Sequence, residues 1–248
     1  IQSIYKRSAE IGNRDMLIID EVHLTPPDGD GMYQTFLRDL LAINPNLRIV
    51  GLTATPYRLD SGKLYGREKL FHAMAHEVPI RPLIEQGFLC EITNKPTTQV
   101  DTDGIHLRGG EFVPRELEDT FQREASRTVT EAIEASRGRK SILVFCSGVA
   151  HAENVAEQIT SLTGEDAKVI VGDTFSMLRA NYLENFRSGK LRWLVNCDVL
   201  TTGFDAPNVD CIVLLRATMS PGLFAQIAGR GFRIHPGKEN CLLLDFGG

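Results

Sequence analysis

The feature that most limits what this chain can fold into is a series of short, largely apolar runs in its second half, separated by segments with helical spacing. Ser141 to Cys146, Ala167 to Val171, Leu191 to Asn196, Cys211 to Leu215 and Cys241 to Asp245 read as strands, interleaved with helical stretches Val149 to Leu162, Phe175 to Ser188 and Pro221 to Gly229. A run that is apolar at successive positions has no solvent face, so it belongs in a parallel sheet covered on both sides. The alternation predicts a doubly wound α/β domain. The first half holds a smaller version: Met16-Leu-Ile-Ile-Asp20, then Met32 to Ile43 with Met32, Phe36, Leu37, Leu40 and Leu41 at helical spacing, then Leu47-Arg-Ile-Val-Gly-Leu-Thr53. That is a strand-helix-strand unit.

At 248 residues the chain has room for two domains of ordinary size. We assign residues 1–92 to the first, 126–248 to the second, and 93–125 to a linker region. Periodicity fails from Thr93 to Gly110, where Pro96, Asp-Thr-Asp-Gly and Gly109-Gly110 cluster, before a charged helix from about Arg115 to Ala135. A short helix fits Ile80 to Gly87. The net charge of −5 argues against a global electrostatic grip on nucleic acid, so any such binding has to use a local groove. The five cysteines stand singly with no Cys-x-x-Cys pair, which reads as reduced core thiols rather than zinc ligands or a disulfide framework. No apolar run approaches membrane-spanning length and no signal-like segment is seen, so a cytoplasmic location and no membrane partner are expected.

Three groups of residues suggest chemistry. Asp20 and Glu21 follow a buried strand where α/β sheets hold ligands; one carboxylate suits a water-bound Mg²⁺ and the other suits orienting an attacking water. Gln226-Ile-Ala-Gly229-Arg230-Gly-Phe-Arg233 presents two guanidinium groups three residues apart, on one helix face or in a loop after Gly229, and they suit a polyphosphate. Thr201-Thr202-Gly203-Phe204-Asp205 offers hydroxyls and an amide to a nucleic-acid phosphate and a carboxylate to a ribose. Ser147-Gly148 and Gly172-Asp173-Thr174 repeat the pattern of small polar residues at strand ends where helices start, as ordinary N-caps also do. Thr53 and Thr55 follow a strand with Arg58 close behind, and two such threonines also satisfy backbone groups at turns. Asp28-Gly-Asp-Gly31 lacks the later ligands of a calcium loop and reads as a plain loop.

Asp20-Glu21-Val22-His23, Thr53-Ala54-Thr55, Thr201 to Pro207 and Gln226 to Arg233 resemble, in this order, motifs II, III, V and VI of superfamily 2 helicases of the DEAD/DEAH-box type, with the nearest likeness to RadD-like bacterial DNA-repair helicases. The resemblance implies two RecA-like α/β domains that bind ATP and Mg²⁺ between them. It implies that Asp20 and Glu21 serve the metal and the water, and that His23 couples the nucleotide to Gln226. Arg230 and Arg233 would reach the phosphoryl group, and Gly203 and Asp205 the nucleotide. Thr53, Thr55, Arg58, Ser147, Gly172, Thr174, Thr201 and Thr202 would meet the backbone of single-stranded or forked DNA. The Thr201 and Arg230 segments are expected at different surfaces of one domain. The Gly-x-x-x-x-Gly-Lys-Ser/Thr phosphate loop is not found in the sequence, so the chain reads as a piece whose first domain is truncated at its N-terminus, with a cut after Gly247-Gly248. Two rivals stand beside a helicase: a duplex-translocating motor subunit of a restriction or remodelling complex, and a nucleic-acid-binding piece without catalysis.

Overall fold

The computed structural model describes residues 1, 3–26, 29, 31–58, 62–67, 69–201 and 204–248, with Arg58 described through its backbone. Thr202, Gly203, the Arg58 side chain, Asp28 and Asp30 therefore lie outside the described residues. The chain forms two compact units, Ile1–Val78 and Pro79–Gly248.

The first unit runs α1 (Ser8–Ile11), β1 (Met16–Ile19), a 3₁₀ turn (Val22–Leu24), α2 (Met32–Ile43), β2 (Arg48–Gly51), β3 (Tyr57–Arg58) and β4 (Gly62–Lys63). Strands β1 and β2 pair in parallel, Met16 opposite Arg48 and Ile19 opposite Gly51. Helix α2 matches its expected span. Its apolar stripe places Phe36 and Leu40 in a small core with Leu47, against Leu17 and Ile49 from the two strands. The helix ends at Asn44, before Pro45, which disfavours helical geometry at the residue preceding it.

The second unit continues with α3 (Ile80–Glu85), β5 (Glu91–Asn94), β6 (Leu107–Arg108), β7 (Glu111–Phe112), α4 (Pro114–Ala135), β8 (Ile142–Cys146), α5 (Val149–Thr163), β9 (Ala167–Ile170), α6 (Ser176–Arg187), β10 (Trp193–Asn196), β11 (Cys211–Leu215), α7 (Pro221–Gly229) and β12 (Asn240–Asp245). Six strands form one parallel sheet in the order β5-β12-β11-β8-β10-β9. Alternate residues of the central strands face opposite sides. Ile142, Val144, Trp193 and Val213 pack with α4 and α5 through Phe121, Val155 and Ile159. Leu143, Phe145, Leu194 and Ile212 pack with Phe186 of α6, Ile227 of α7 and Phe204 from the loop after β10. The result is the three-layer α/β architecture that the alternating runs predict. All five cysteines are free thiols buried in this unit.

The domain limits need correction. The division falls after Val78, not at 92, and 93–125 is not a linker between bodies. Strand β5 adds to the sheet edge beside β12, with Glu91 opposite Asn240 and Asn94 opposite Leu243. The Cys90 amide also donates to the Phe232 carbonyl at 2.6 Å. An edge strand is held by backbone pairing and needs few apolar side chains, so Glu-Ile-Thr-Asn gives no hydrophobic run to read.

Candidate functional site

In the first unit, Asp20 and Glu21 leave the end of β1 in a tight turn. Glu21 has φ 48°, the left-handed region that a residue with a side chain enters at a cost of about 1–2 kcal/mol. Its neighbours hold it there. The Val22 amide donates to Leu52 at 3.0 Å and the Leu52 amide donates to Ile19 at 2.8 Å, so the ladder clamps both sides of the turn. The buried Val22 fits only because residue 51 is glycine: a Cβ there would come within 2.8 Å of the Val22 side chain and 2.7 Å of the Phe71 ring. Asp20 Oδ1 accepts the Glu21 amide at 2.9 Å. Two adjacent, solvent-facing carboxylates suit Mg²⁺, which keeps several waters and takes one or two protein carboxylates.

His23 ties this turn to the segment after β2. Its Nδ1 lies 2.9 Å from Thr53 Oγ1 and 3.4 Å from Glu21 Oε2. The Thr53 hydroxyl accepts the Thr55 amide at 3.0 Å and donates to the Thr55 carbonyl at 3.2 Å, which leaves Nδ1–H as the donor to Thr53. The Thr55 side chain is buried. The expectation of direct strand contact therefore fails for that side chain, because the threonines close a local turn and link it to the carboxylates.

In the second unit, Ser147, Gly172, Thr174 and Thr201 follow β8, β9 and β10, three adjacent strands, so they gather along one carboxyl edge of the sheet. Gly172 is exposed, with open space where a side chain would stand, and its carbonyl accepts from the Arg179 guanidinium at 3.3 Å. Thr174 Oγ1 accepts the Val171 amide at 2.9 Å and so shapes the turn beside it. Ser147 is largely buried and its Oγ lies 2.8 Å from His151 Nδ1. His151 is fully buried, and that burial pulls its pKa down to about 4, so the ring is neutral near pH 7. Sequence reading missed Glu118 of α4. Its Oε1 accepts the His151 amide at 3.2 Å at the start of α5, where a phosphate was expected. Gly148 makes this possible, since a Cβ there would lie 1.9 Å from the Glu118 carboxyl carbon.

Helix α7 is capped by Ser220, whose hydroxyl accepts the Leu223 amide, and starts with Pro221. It carries Gln226 and is followed by Arg230 at its C-cap. The Arg230 guanidinium donates to the Phe204 carbonyl at 2.6 Å and to the Thr201 carbonyl, and Arg233 forms an ion pair with Asp205. The expectation of two separate surfaces is thus overturned: Thr201, Phe204 and Asp205 are tied to the arginine segment by both arginines. Lys238, also missed, donates to the carbonyls of Arg233, Gly231 and Pro207 at 2.7, 2.8 and 3.4 Å. Burial lowers its pKa. A lysine in a Pro-Gly-Lys turn carries no sequence signal of this role.

Residues 124–235 match the family model described as Helicase conserved C-terminal domain. Over 239 residues the chain is 35% identical to a Schizosaccharomyces pombe protein provisionally named mitochondrial ATP-dependent helicase irc3, covering 94% of this chain and 38% of that protein. A fragment structure assigned as an HsdR subunit of a type I restriction enzyme from Vibrio vulnificus YJ016 superposes with a TM-score of 0.75 at 23% identity, over 99% of this chain and 46% of that one. The ATP-dependent Type ISP restriction-modification enzyme LlaBIII bound to DNA gives 0.64 at 14% identity, over 97% of this chain and 19% of that one. The chain thus spans less than half the length of each of these proteins. Residues 124–235 thus match a helicase C-terminal domain, and with its motifs in the expected order the chain as a whole is similar to superfamily 2 helicases.

Proposed function

We propose that this chain works as part of an ATP-driven motor on DNA, a helicase or translocase serving DNA repair. Asp20 would hold Mg²⁺ through water, and that ion would neutralise charge on the phosphates. Glu21 would orient and deprotonate the attacking water, and His23 would relay the state of this turn to Thr53 and, with Gln226, to the nucleotide. Arg230 and Arg233 would face the phosphoryl group, with Gly203 and Asp205 beside the nucleotide. Arg58, Ser147, Gly172, Thr174, Thr201 and Thr202 would follow the strand backbone, where contacts position without reading sequence. One observation carries this reading: Arg230 and Arg233 are bonded to the loop after β10, so a change at the phosphates would move the residues offered to the strand.

A duplex translocase is the second reading, favoured by the fold likeness to an HsdR subunit of a type I restriction enzyme and to an ATP-dependent Type ISP restriction-modification enzyme bound to DNA. The test is ATP hydrolysis by the whole gene product with and without DNA, followed by strand separation on forked and blunt duplexes. DNA-stimulated hydrolysis with separation of the fork supports a helicase. Stimulation without separation supports the duplex motor, and hydrolysis indifferent to DNA refutes both.

A further inference from the structure

The segment from Arg230 to Glu239 lies between α7 and β12 without helix or sheet structure, yet it carries Arg233. Main-chain bonds hold part of it, among them the Cys90 amide on the Phe232 carbonyl, and side chains add the rest. Lys238 supplies three such bonds. An ammonium has three N–H donors and no acceptor, and here the three reach Arg233 O at 2.7 Å, Gly231 O at 2.8 Å and Pro207 O at 3.4 Å. Two acceptors belong to the arginine segment and the third to the loop that carries Asp205. Asp205 in turn pairs with the Arg233 side chain. Arg233 is thus fixed twice, by its own carbonyl through Lys238 and by its guanidinium through Asp205. Gly231 brings the backbone close enough: a Cβ there would stand 2.7 Å from Cys241 Sγ on β12.

We propose that Lys238 is a positioning residue for Arg233, setting where its guanidinium stands when a phosphoryl group is presented. The inference rests on the proposed role of Arg233 at ATP. Misplacing a reacting group by 1 Å costs on the order of 100-fold in rate, so loosening this three-point hold should appear in turnover before it appears in binding.

The experiment measures DNA-stimulated ATPase in the whole gene product for Lys238→Met, Arg233→Ala and the double variant, with thermal midpoints and single-strand affinity alongside. Lys238→Met should lower kcat at least ~10-fold while the KM for ATP stays within ~2-fold. The double variant should be no slower than Arg233→Ala alone, because the lysine acts through the arginine. A purely structural lysine would instead add its loss to that of Arg233→Ala and lower strand affinity as well, and that result overturns the proposal. An unchanged kcat in Lys238→Met beside a slow Arg233→Ala also overturns it, while leaving the motor reading intact; an unchanged Arg233→Ala overturns both. If Lys238→Met does not fold, Lys238→Arg replaces it. That variant keeps the charge but not the three-point geometry, so reduced kcat at constant KM is expected and wild-type kcat refutes the proposal.

Discussion

Arg230 donates a 2.6 Å hydrogen bond to the carbonyl of Phe204, 26 residues earlier in the chain. With its second bond to Thr201, this makes the arginine a brace for the loop that would meet the strand. A residue placed so does not affect hydrolysis alone. Removing charge-assisted bonds of this kind costs on the order of 1.5–3 kcal/mol.

Arg230→Ala is therefore expected to lower both the stability of the second unit and single-strand affinity, each measurably, together with any ATPase rate. Arg233→Ala, whose ion pair with Asp205 is more exposed, should spare stability. Urea titration and fluorescence anisotropy with an oligonucleotide distinguish the two, and equal strand affinity in Arg230→Ala and wild type would contradict the bracing role.

Glu21→Gln should abolish ATP turnover in the whole gene product while nucleotide binding stays within a few-fold, since a lost base affects chemistry more than the ground state. Single-turnover kinetics with a nucleotide-binding titration make the comparison. Turnover close to wild type would remove Glu21 from the proposed role.

Gly51→Ala should displace Val22 and loosen the turn that holds Glu21. The added methyl collides with the Val22 side chain and the Phe71 ring, and overpacking of this kind costs about 1–3 kcal/mol. Hydrogen exchange at the Val22 amide, bonded to Leu52, is the readout. Protection equal to wild type would show that the turn does not depend on this fit.

The second unit should lose stability as pH falls from about 6.5 toward 4. His151 titrates near 4 when folded and near 6.5 when unfolded, so the unfolded chain binds more protons in that window and gains on acidification. By pH 5 the loss is about 2 kcal/mol from this residue alone. The chain's one tryptophan, Trp193, is buried in this unit and reports its unfolding. The loss of stability between pH 7 and pH 5 in denaturant titrations should be smaller in His151→Asn than in wild type by roughly that amount. An equal pH dependence in both would assign the acid sensitivity elsewhere.

Strands β8 to β12 and the helices between them were legible in the amino-acid order because a strand covered on both faces must be apolar at successive positions. Ile142 to Cys146 and Cys211 to Leu215 could hardly be anything else. Helix α2 was legible from its apolar stripe in the same way. Asp20, Glu21, Arg230 and Arg233 could be singled out as candidates from the sequence alone, since the motif residues stand at fixed spacings. Strand β5 was not, because its place at the sheet edge depends on backbone pairing with β12 rather than on its own side chains. Nor were the partners of Arg230 and Glu118, a main-chain carbonyl and an amide 26 and 33 residues away in the chain, or those of Lys238, carbonyls 5, 7 and 31 residues away. Every residue carries the same carbonyl, so a bond to one leaves no mark in the sequence, and only the folded chain selects which carbonyl comes within reach.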